Sequence, residues 1–416
     1  MTGSPFAVLG RDGRLLFATR MARLFGYGAV SVILVLYLVA LGFDGVRVGL
    51  LLTLTLVGDA AISLWLTTRA DAIGRRRVLL AGSALMLGAG VAFALSGDFW
   101  VLLIAATIGV ISVSGGEVGP FLAVEQASLS HILPDRERTR IFAWYALAGS
   151  VAGALGALSA GLLVTALEAA GRTTLDAYRG VVVVYALVGV ALAVAFAFLS
   201  SAVEVAAESR STTAGRLGLH RSRRTVLRLS GLIGLDSFGG ALVSQSLVAY
   251  WFTQRFGAQP ALLGGIFFVS NILAGLSALV AARIAARIGL VRTMVFTHLP
   301  ANVILIIMPL MPTLPLAALA LFARFSMNSM DIPARQSYVM AVVDPDERSA
   351  AAGVTGIARS ISSAPAPLIS TPLFAIPGLA SLPFFVGGAL KITYDLLLYR
   401  LFVKLRPPEE RDDKVA

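Results

Sequence analysis

The chain has 416 residues, of which 57% are hydrophobic and only 14% charged, with a formal net charge of +11 and no cysteine. A soluble globular domain carries about 25% charged residues, so a soluble enzyme built on one large core is excluded. Without cysteine there are no disulfides, thiolate metal sites or cysteine nucleophiles, and the basic residues are not interleaved with aromatics in the manner of a nucleic-acid surface.

Apolar runs of roughly 20 residues, the length that crosses a bilayer, recur along the chain. The first, 22–42, follows Arg11, Arg14, Arg20 and Arg23 and has no small-residue cleavage site, so it reads as a retained helix and not a signal peptide. Spans at 48–68, 78–97, 100–130, 141–165 and 179–200 complete a first set of six. Residues 201–227 form one long polar stretch that reads as a linker. A second set follows at 228–251, 261–281, 293–311, 316–342, 350–374 and 381–402, and 405–416 is a charged tail. The expected fold is an all-α integral membrane protein of about 12 transmembrane helices, in two pseudo-symmetric six-helix bundles at 1–200 and 228–404.

Placing the N-terminus in the cytoplasm leaves only Arg47, Arg172, Arg179 and Arg255 of the 34 Lys and Arg on the far side, with Arg324, Arg335, Arg359 and Lys391 inside spans. Basic residues collect on the cytoplasmic side of membrane proteins. The expected location is therefore the cytoplasmic (inner) membrane with both termini inside, as a monomer in the lipid bilayer. His131, His220 and His298 are far apart and lack metal-ligand spacing, so no metal and no cofactor are expected.

The two sets repeat each other. Gly26 matches Gly239 and Tyr37 matches Tyr250 at an offset of 213; Gly49 matches Gly264, Gly74 matches Gly289 and Arg77 matches Arg292 at 215; Gln126 matches Gln336, Glu137 matches Glu347 and Arg138 matches Arg348 at 210. A drift of only a few residues over a whole half marks a duplication. Parallel repeats of this kind place a binding site near the bilayer midplane between the halves.

Between the second and third spans lies a basic hairpin, Asp71-Ala-Ile-Gly74-Arg75-Arg76-Arg77, and a faded copy returns as Arg287-Ile-Gly289-Leu-Val-Arg292. With the span count, linker and repeats, this resembles the major facilitator superfamily, whose signature at that place is Gly-x-x-x-Asp-Arg/Lys-x-Gly-Arg-Arg/Lys-Arg/Lys. Thr67 replaces the first glycine, Ala72 the first basic residue, and Ala286 the aspartate of the second copy. The span-four arginine of many members is absent, while Arg324 lies in the corresponding region of span ten. Span five carries Gly149, Gly153, Gly156 and Gly161 without the Gly-Pro pair of drug/proton antiporters; close helix packing is the other reading of these glycines. The resemblance implies that Asp71 meets a helix N-terminus, here near Ser349–Ala352, and favours one access state. The alternative is that Arg75–Arg77 only fix topology.

An ionisable group inside the membrane is a functional candidate by default. The set is Asp59, Glu117, Glu125, Asp236, Asp331, Arg335, Arg359, Lys391 and Asp395. The resemblance implies that spans one, four, seven and ten line the cavity. The repeat relates Arg23 to Asp236 and Glu125 to Arg335, so opposite charges occupy equivalent positions. Those four residues are candidates for a cytoplasmic gate that exchanges partners within and between halves, or for static neutralisation within each half. Glu117, in Ser114-Gly-Gly-Glu-Val-Gly-Pro120, and Asp331, in Met327-Asn-Ser-Met-Asp-Ile-Pro333, are the proton or substrate candidates, joined by Asp59 and Arg359. Lys391 and Asp395, four apart in span twelve, are expected to pair with each other.

These readings converge on a secondary transporter of a small solute working by alternating access, with proton-coupled export as the main expectation. Uptake of an anionic or zwitterionic metabolite is the alternative, and a transporter-like sensor or scaffold without flux is a further one. A membrane-embedded enzyme would need a clustered catalytic set, which the scattered histidines do not provide.

Overall fold

The computed structural model describes residues 9–133, 135–204, 221–344, 347–376, 378–403 and 405, with 135–140, 282 and 349–350 described through the backbone alone. Most of the polar linker, the charged tail, the side chains of the repeat positions Glu137 and Arg138, and that of Ser349 lie outside the described residues.

Inside a bilayer each segment must satisfy its own backbone, so apolar runs become helices. They are α1 Arg11–Ala40, α2 Gly45–Thr68, α3 Ala70–Ile73, α4 Arg75–Leu95, α5 Phe99–Ile108, α6 Phe121–Ile132, α7 Asp135–Ala169, α8 Thr174–Ala197, α9 Arg223–Ala241, α10 Gln245–Phe256, α11 Pro260–Ile288, α12 Leu290–Ile307, α13 Leu314–Asn328, α14 Asp331–Ala341, α15 Arg348–Ser363, α16 Ala366–Ala375 and α17 Leu382–Phe402. Polar residues stop or start them where the chain turns. Asp44 accepts the Arg47 N–H at 2.8 Å, and Asp98 accepts those of Trp100 and Val101, both at 3.0 Å, satisfying amides that have no partner in the first turn.

Among the described residues, nine helical segments are long and apolar enough to cross a membrane. The expected count of about twelve differs from this at three places. Span four is interrupted over residues 109–120, span ten at Ser329 and Met330, and span eleven at Ala364 and Pro365. The first gap holds Gly115 and Gly119 at φ +73° and +78° followed by Pro120. The last holds Pro365, which cannot donate to a helix that runs through it.

The chain groups into two compact units, residues 1–212 with 244–271, and residues 213–243 with 272–416. The first unit is built around α1, buried from Gly26 to Leu38 and packed on α7, α8 and α10. Lipid tails are as apolar as leucine, so helices in a bilayer associate by close backbone contact and not by exclusion from water. Any Cβ at Gly156 would collide with the Phe25 carbonyl, and one at Gly28 with the Gly153 carbonyl. Gly153 and Gly156 therefore serve close packing of α7 on α1, while Gly161 faces Pro260 and Ala261 at the start of α11. In the second unit α9 packs on α15 and α17, and α12 on α13, α14 and α17, around Ile233, Met294, Tyr338, Val339, Tyr394 and Leu398. Trp65, Trp100, Ile104, Leu187 and Phe198 stand exposed, as suits faces turned to lipid.

The duplication has a backbone counterpart. Gly74 begins α4 at φ +106°, and Gly289 begins α12 at φ +85°. A side chain is strained in that left-handed region, which explains why both copies of the hairpin keep glycine.

Candidate functional site

The hairpin arginines are tied down within the first unit. Arg75 Nε lies 2.9 Å from Asp71 Oδ1, and its Nη1 donates to the carbonyls of Ala127 and Val203, both at 3.2 Å. Arg76 Nη2 donates to the Ala197 carbonyl at 2.5 Å, while Arg77 is exposed. The start of α4 is held by Glu204, whose carboxylate accepts the Arg75 and Arg76 N–H groups at 2.8 and 3.0 Å. Sequence reading left Glu204 inside the linker; its only signal was an isolated carboxylate after a span end.

One buried charge cluster lies where α1 meets the interrupted span four. Arg23 on α1 grips Glu125 on α6 through both amino groups, each at 2.7 Å, and both side chains are fully buried. Thr19 Oγ1 at 3.2 Å and the Tyr145 hydroxyl also donate to Glu125. Every acceptor position of that carboxylate is thus used, as a buried charge requires. Glu117 takes Arg20 Nη1 at 2.7 Å and Arg23 Nη2 at 3.2 Å, and keeps 18% exposure. Arg23 also lies over the Phe121 ring at 4.6 Å and Arg20 over that of Tyr145 at 4.3 Å. Two guanidiniums against two carboxylates leave the cluster neutral.

Non-helical backbone at membrane depth survives only where other groups satisfy it. Here the Tyr185 and Tyr27 hydroxyls donate to the carbonyls of Val110 and Val118, and Ser246 Oγ donates to that of Val113 at 2.6 Å. Asp59 on α2 accepts the Gly119 N–H at 2.5 Å and the Ser63 hydroxyl at 3.2 Å. Asp59 thereby acts as a brace for the break that presents Glu117.

The second unit holds a larger cluster. A Cβ at Gly387 would come within 2.7 Å of the Gly239 carbonyl, so α9 and α17 approach closely and bring together the residues one turn away. Lys391 Nζ lies 2.5 Å from Asp236 Oδ1. Arg335 Nη1 on α14 lies 3.2 Å from Asp236 Oδ2 and 3.6 Å from Asp331. The expected pairing of Lys391 with Asp395 does not form. Asp395 turns instead to α12, where His298 Nδ1 and Asn302 Nδ2 each lie 2.9 Å away. The reason is rotational: α17 faces α9 with one residue and α12 with the other, and buried cross-helix partners outweigh an i,i+4 contact worth only ~0.2–0.5 kcal/mol. Asp236, His298 and Asp331 each offer a ligand atom within 4.8 Å of the others, but Lys391 and Arg335 already supply the positive charge there, so the set does not fit a metal.

Arg324 on α13 differs from these. It is 8% exposed, and its Nη2 donates to Asn328 Oδ1 at 3.4 Å while Nε has no partner. Its guanidinium otherwise lies 5.6 Å from the neighbouring Phe325 ring. Among the described residues no carboxylate pairs with it within 4.0 Å. Asp331 Oδ2, also buried, accepts no hydrogen bond. Arg359 on α15 is exposed.

Two of the pairs weighed from the repeat, Arg23 with Glu125 and Asp236 with Arg335, are therefore formed within their own units. Sequence reading missed His298, weighed only as a metal ligand, although the rule for intramembrane ionisable groups covers histidine too.

The family model described as Major Facilitator Superfamily matches residues 16–367 and 229–415. A Saccharomyces cerevisiae protein described as "Uncharacterized membrane protein YJR124C" is 31% identical, over 96% of this chain and 95% of its own length. Among solved structures, a mutant form of the nucleoside transporter NupG superposes with a TM-score of 0.76 at 12% identity, covering 94% of this chain and 99% of NupG. A D-xylose-proton symporter superposes with a TM-score of 0.70 at 11% identity, covering 93% and 97%.

Proposed function

The chain belongs to the Major Facilitator Superfamily, and from that premise we propose that it takes up an anionic or zwitterionic metabolite across the cytoplasmic membrane, coupled to protons. It is a multi-pass membrane protein and a secondary transporter of a small solute by alternating access, not an enzyme. The three interrupted segments support the reading of twelve spans in two six-helix bundles, and the asymmetry of Lys and Arg supports cytoplasmic termini.

The observation that carries the substrate class is Arg324. Acidic residues favour a cationic solute, and hence export, only if they are free to receive it. Glu117, Glu125 and Asp236 all face arginine or lysine in their own units. What is left over is a buried guanidinium with an unpartnered Nε. A desolvated cation without a counter-charge is costly, and a carboxylate or phosphate of the solute would remove that cost through charge-assisted hydrogen bonds. Asp331 Oδ2 accepts no hydrogen bond and faces Arg335 at 3.6 Å, so it can still take a hydrogen bond from a solute that also carries an ammonium. Two proteins of this fold are named a nucleoside transporter and a D-xylose-proton symporter, names that fit a metabolite better than a drug. The charge gate keeps its four candidates, Arg23, Glu125, Asp236 and Arg335.

Thermal shift of the purified protein against carboxylates, phosphates, zwitterions and amines, at two pH values, tests this reading. A ligand that binds the folded state raises the melting temperature. Anions or zwitterions are expected to stabilise the wild type and to lose that effect in Arg324→Gln. Stabilisation by amines alone would overturn it.

A further inference from the structure

His298 sits on α12 with 2% exposure, and its imidazole lies between two carboxylates. Nδ1 is 2.9 Å from Asp395 Oδ1, and Nε2 is 3.7 Å from Asp236 Oδ1. Asn302 Nδ2 lies 3.0 Å from Nδ1 and 2.9 Å from Asp395 Oδ2. In the tautomer protonated on Nδ1, Asp395 accepts the ring hydrogen at Oδ1 and the Asn302 amide hydrogen at Oδ2. A neutral ring then turns its Nε2 lone pair toward an aspartate oxygen, whereas a second proton would turn a donor toward it. Histidine is the side chain whose ordinary charge change falls between pH 5 and 8.

The charges around the ring come from every helix packed near it. Asp236 on α9 and Asp395 on α17 face the ring directly, Lys391 on α17 and Arg335 on α14 pair with Asp236, Asp331 on α14 lies beside Arg335, and the Tyr394 ring is edge-on at 5.9 Å. Arg324 on α13 acts on the same set through its charge interaction with Asp236. Three aspartates balance Lys391, Arg335 and Arg324 when the imidazole is neutral. A proton on His298 leaves one positive charge in excess, in the unit where Arg324 already lacks a carboxylate.

We propose that His298 is a proton-binding site, held between Asp395 and Asp236, whose occupancy is linked to the binding of an anionic solute at Arg324. The proton adds to Nε2 from water, forming one N–H bond and breaking one O–H bond, and it leaves by the reverse step. Asp236, which faces Nε2, and its partner Arg335 keep 9% and 13% side-chain exposure. Proton and anion together leave the cluster neutral, so each favours the other, and the coupling is equal in both directions. Glu117 is less suited to the task, because a proton there would leave Arg20 and Arg23 sharing one carboxylate fewer. The linkage rests on the anionic reading above; the proton site does not.

The experiment is nitrogen-15 histidine NMR on the full chain in nanodiscs between pH 5 and 8.5, with His298→Gln assigning the resonance, and with succinate and inorganic phosphate as probes. Gain of a proton at Nε2 as the pH falls is the expected result. In Asp395→Asn, which keeps the side-chain shape, the gain moves to lower pH because an anion is lost. In Arg324→Gln it moves to higher pH because a cation is lost, and this arm needs no ligand. A probe that binds is expected to do so about tenfold more tightly at pH 5.5 than at pH 8, with His298→Gln flattening that dependence. A ring that stays neutral throughout, with probe binding still lost in Arg324→Gln, overturns the proton site alone. A ring that titrates identically in wild type and Arg324→Gln, with equal probe binding, overturns the linkage and the anionic reading but not the proton site.

Discussion

Lys391 on α17 places its ammonium 2.5 Å from Asp236 on α9, although Asp395 lies one turn along its own helix. Breaking a buried ion pair costs about 3–5 kcal/mol when it orphans the remaining charge. Asp236 would still keep Arg335 at 3.2 Å, so Lys391→Met is expected to destabilise by about 2–3 kcal/mol on that scale. Adding Asp236→Asn should cost less than the sum of the two single changes, because the residues are coupled. Unfolding in mixed micelles measures all three variants, and strict additivity would mean that the contact contributes nothing.

The approach of α7 to α1 depends on the absence of side chains. Gly156→Val would drive a Cβ into the Phe25 carbonyl, and the helices would have to separate. A loss of at least ~3 kcal/mol is expected, above the usual range for overpacking because backbone and not a flexible side chain must move. Gly88 on α4 has open space around its Cβ position, so Gly88→Ala should be neutral or gain up to about 1 kcal/mol from helix propensity. Equal effects of the two substitutions on the yield of monodisperse protein would refute the packing argument.

Glu204 accepts the first two N–H groups of α4, where the helix dipole is positive. Losing such a cap costs about 0.5–2 kcal/mol, and the charge adds roughly 0.3–1 kcal/mol. Glu204→Ala should therefore speed hydrogen exchange at Arg75 and Arg76 while leaving the amides of α1 unchanged. Unaltered exchange at those two amides would show that the cap is dispensable.

The sequence made some of this legible and hid the rest for a definite reason. The repeat offset placed Gly74 and Gly289 at matching helix starts, and the rule that membrane charges need partners singled out Arg23, Glu125, Asp236 and Arg335 while leaving open whether they pair within each half or across the axis. Each of those inferences needs only position along the chain. The contact of Lys391 with Asp236, and that of Asp395 with His298, depends on how α17 is rotated. In lipid that rotation is set by small residues such as Gly239 and Gly387, which carry no hydropathy signal. The break in span four was visible as glycines and a proline, but its braces, Asp59, Tyr27, Tyr185 and Ser246, come from four different helices.

Glu125 and Glu117 share Arg23 yet should respond differently to loss of charge. Glu125 is fully buried and accepts from Arg23, Thr19 and Tyr145, so Glu125→Gln leaves Arg23 with Glu117, at 3.2 Å, as its one carboxylate and takes the charged acceptor from Thr19 and Tyr145. A cost of about 2–3 kcal/mol is expected, below the penalty for a fully orphaned buried charge because Glu117 remains. Glu117 is 18% exposed, and solvent can replace part of what its charge supplies. Glu117→Gln should thus fold with a melting temperature much nearer to wild type. Because it releases Arg20 and one side of Arg23, its effect should fall on solute flux in proteoliposomes, where initial rates are expected to drop at least tenfold. Melting curves and flux measured on the same two preparations decide the matter. If Glu117→Gln melts as early as Glu125→Gln, both carboxylates are structural counter-charges and the cluster has no separate working member.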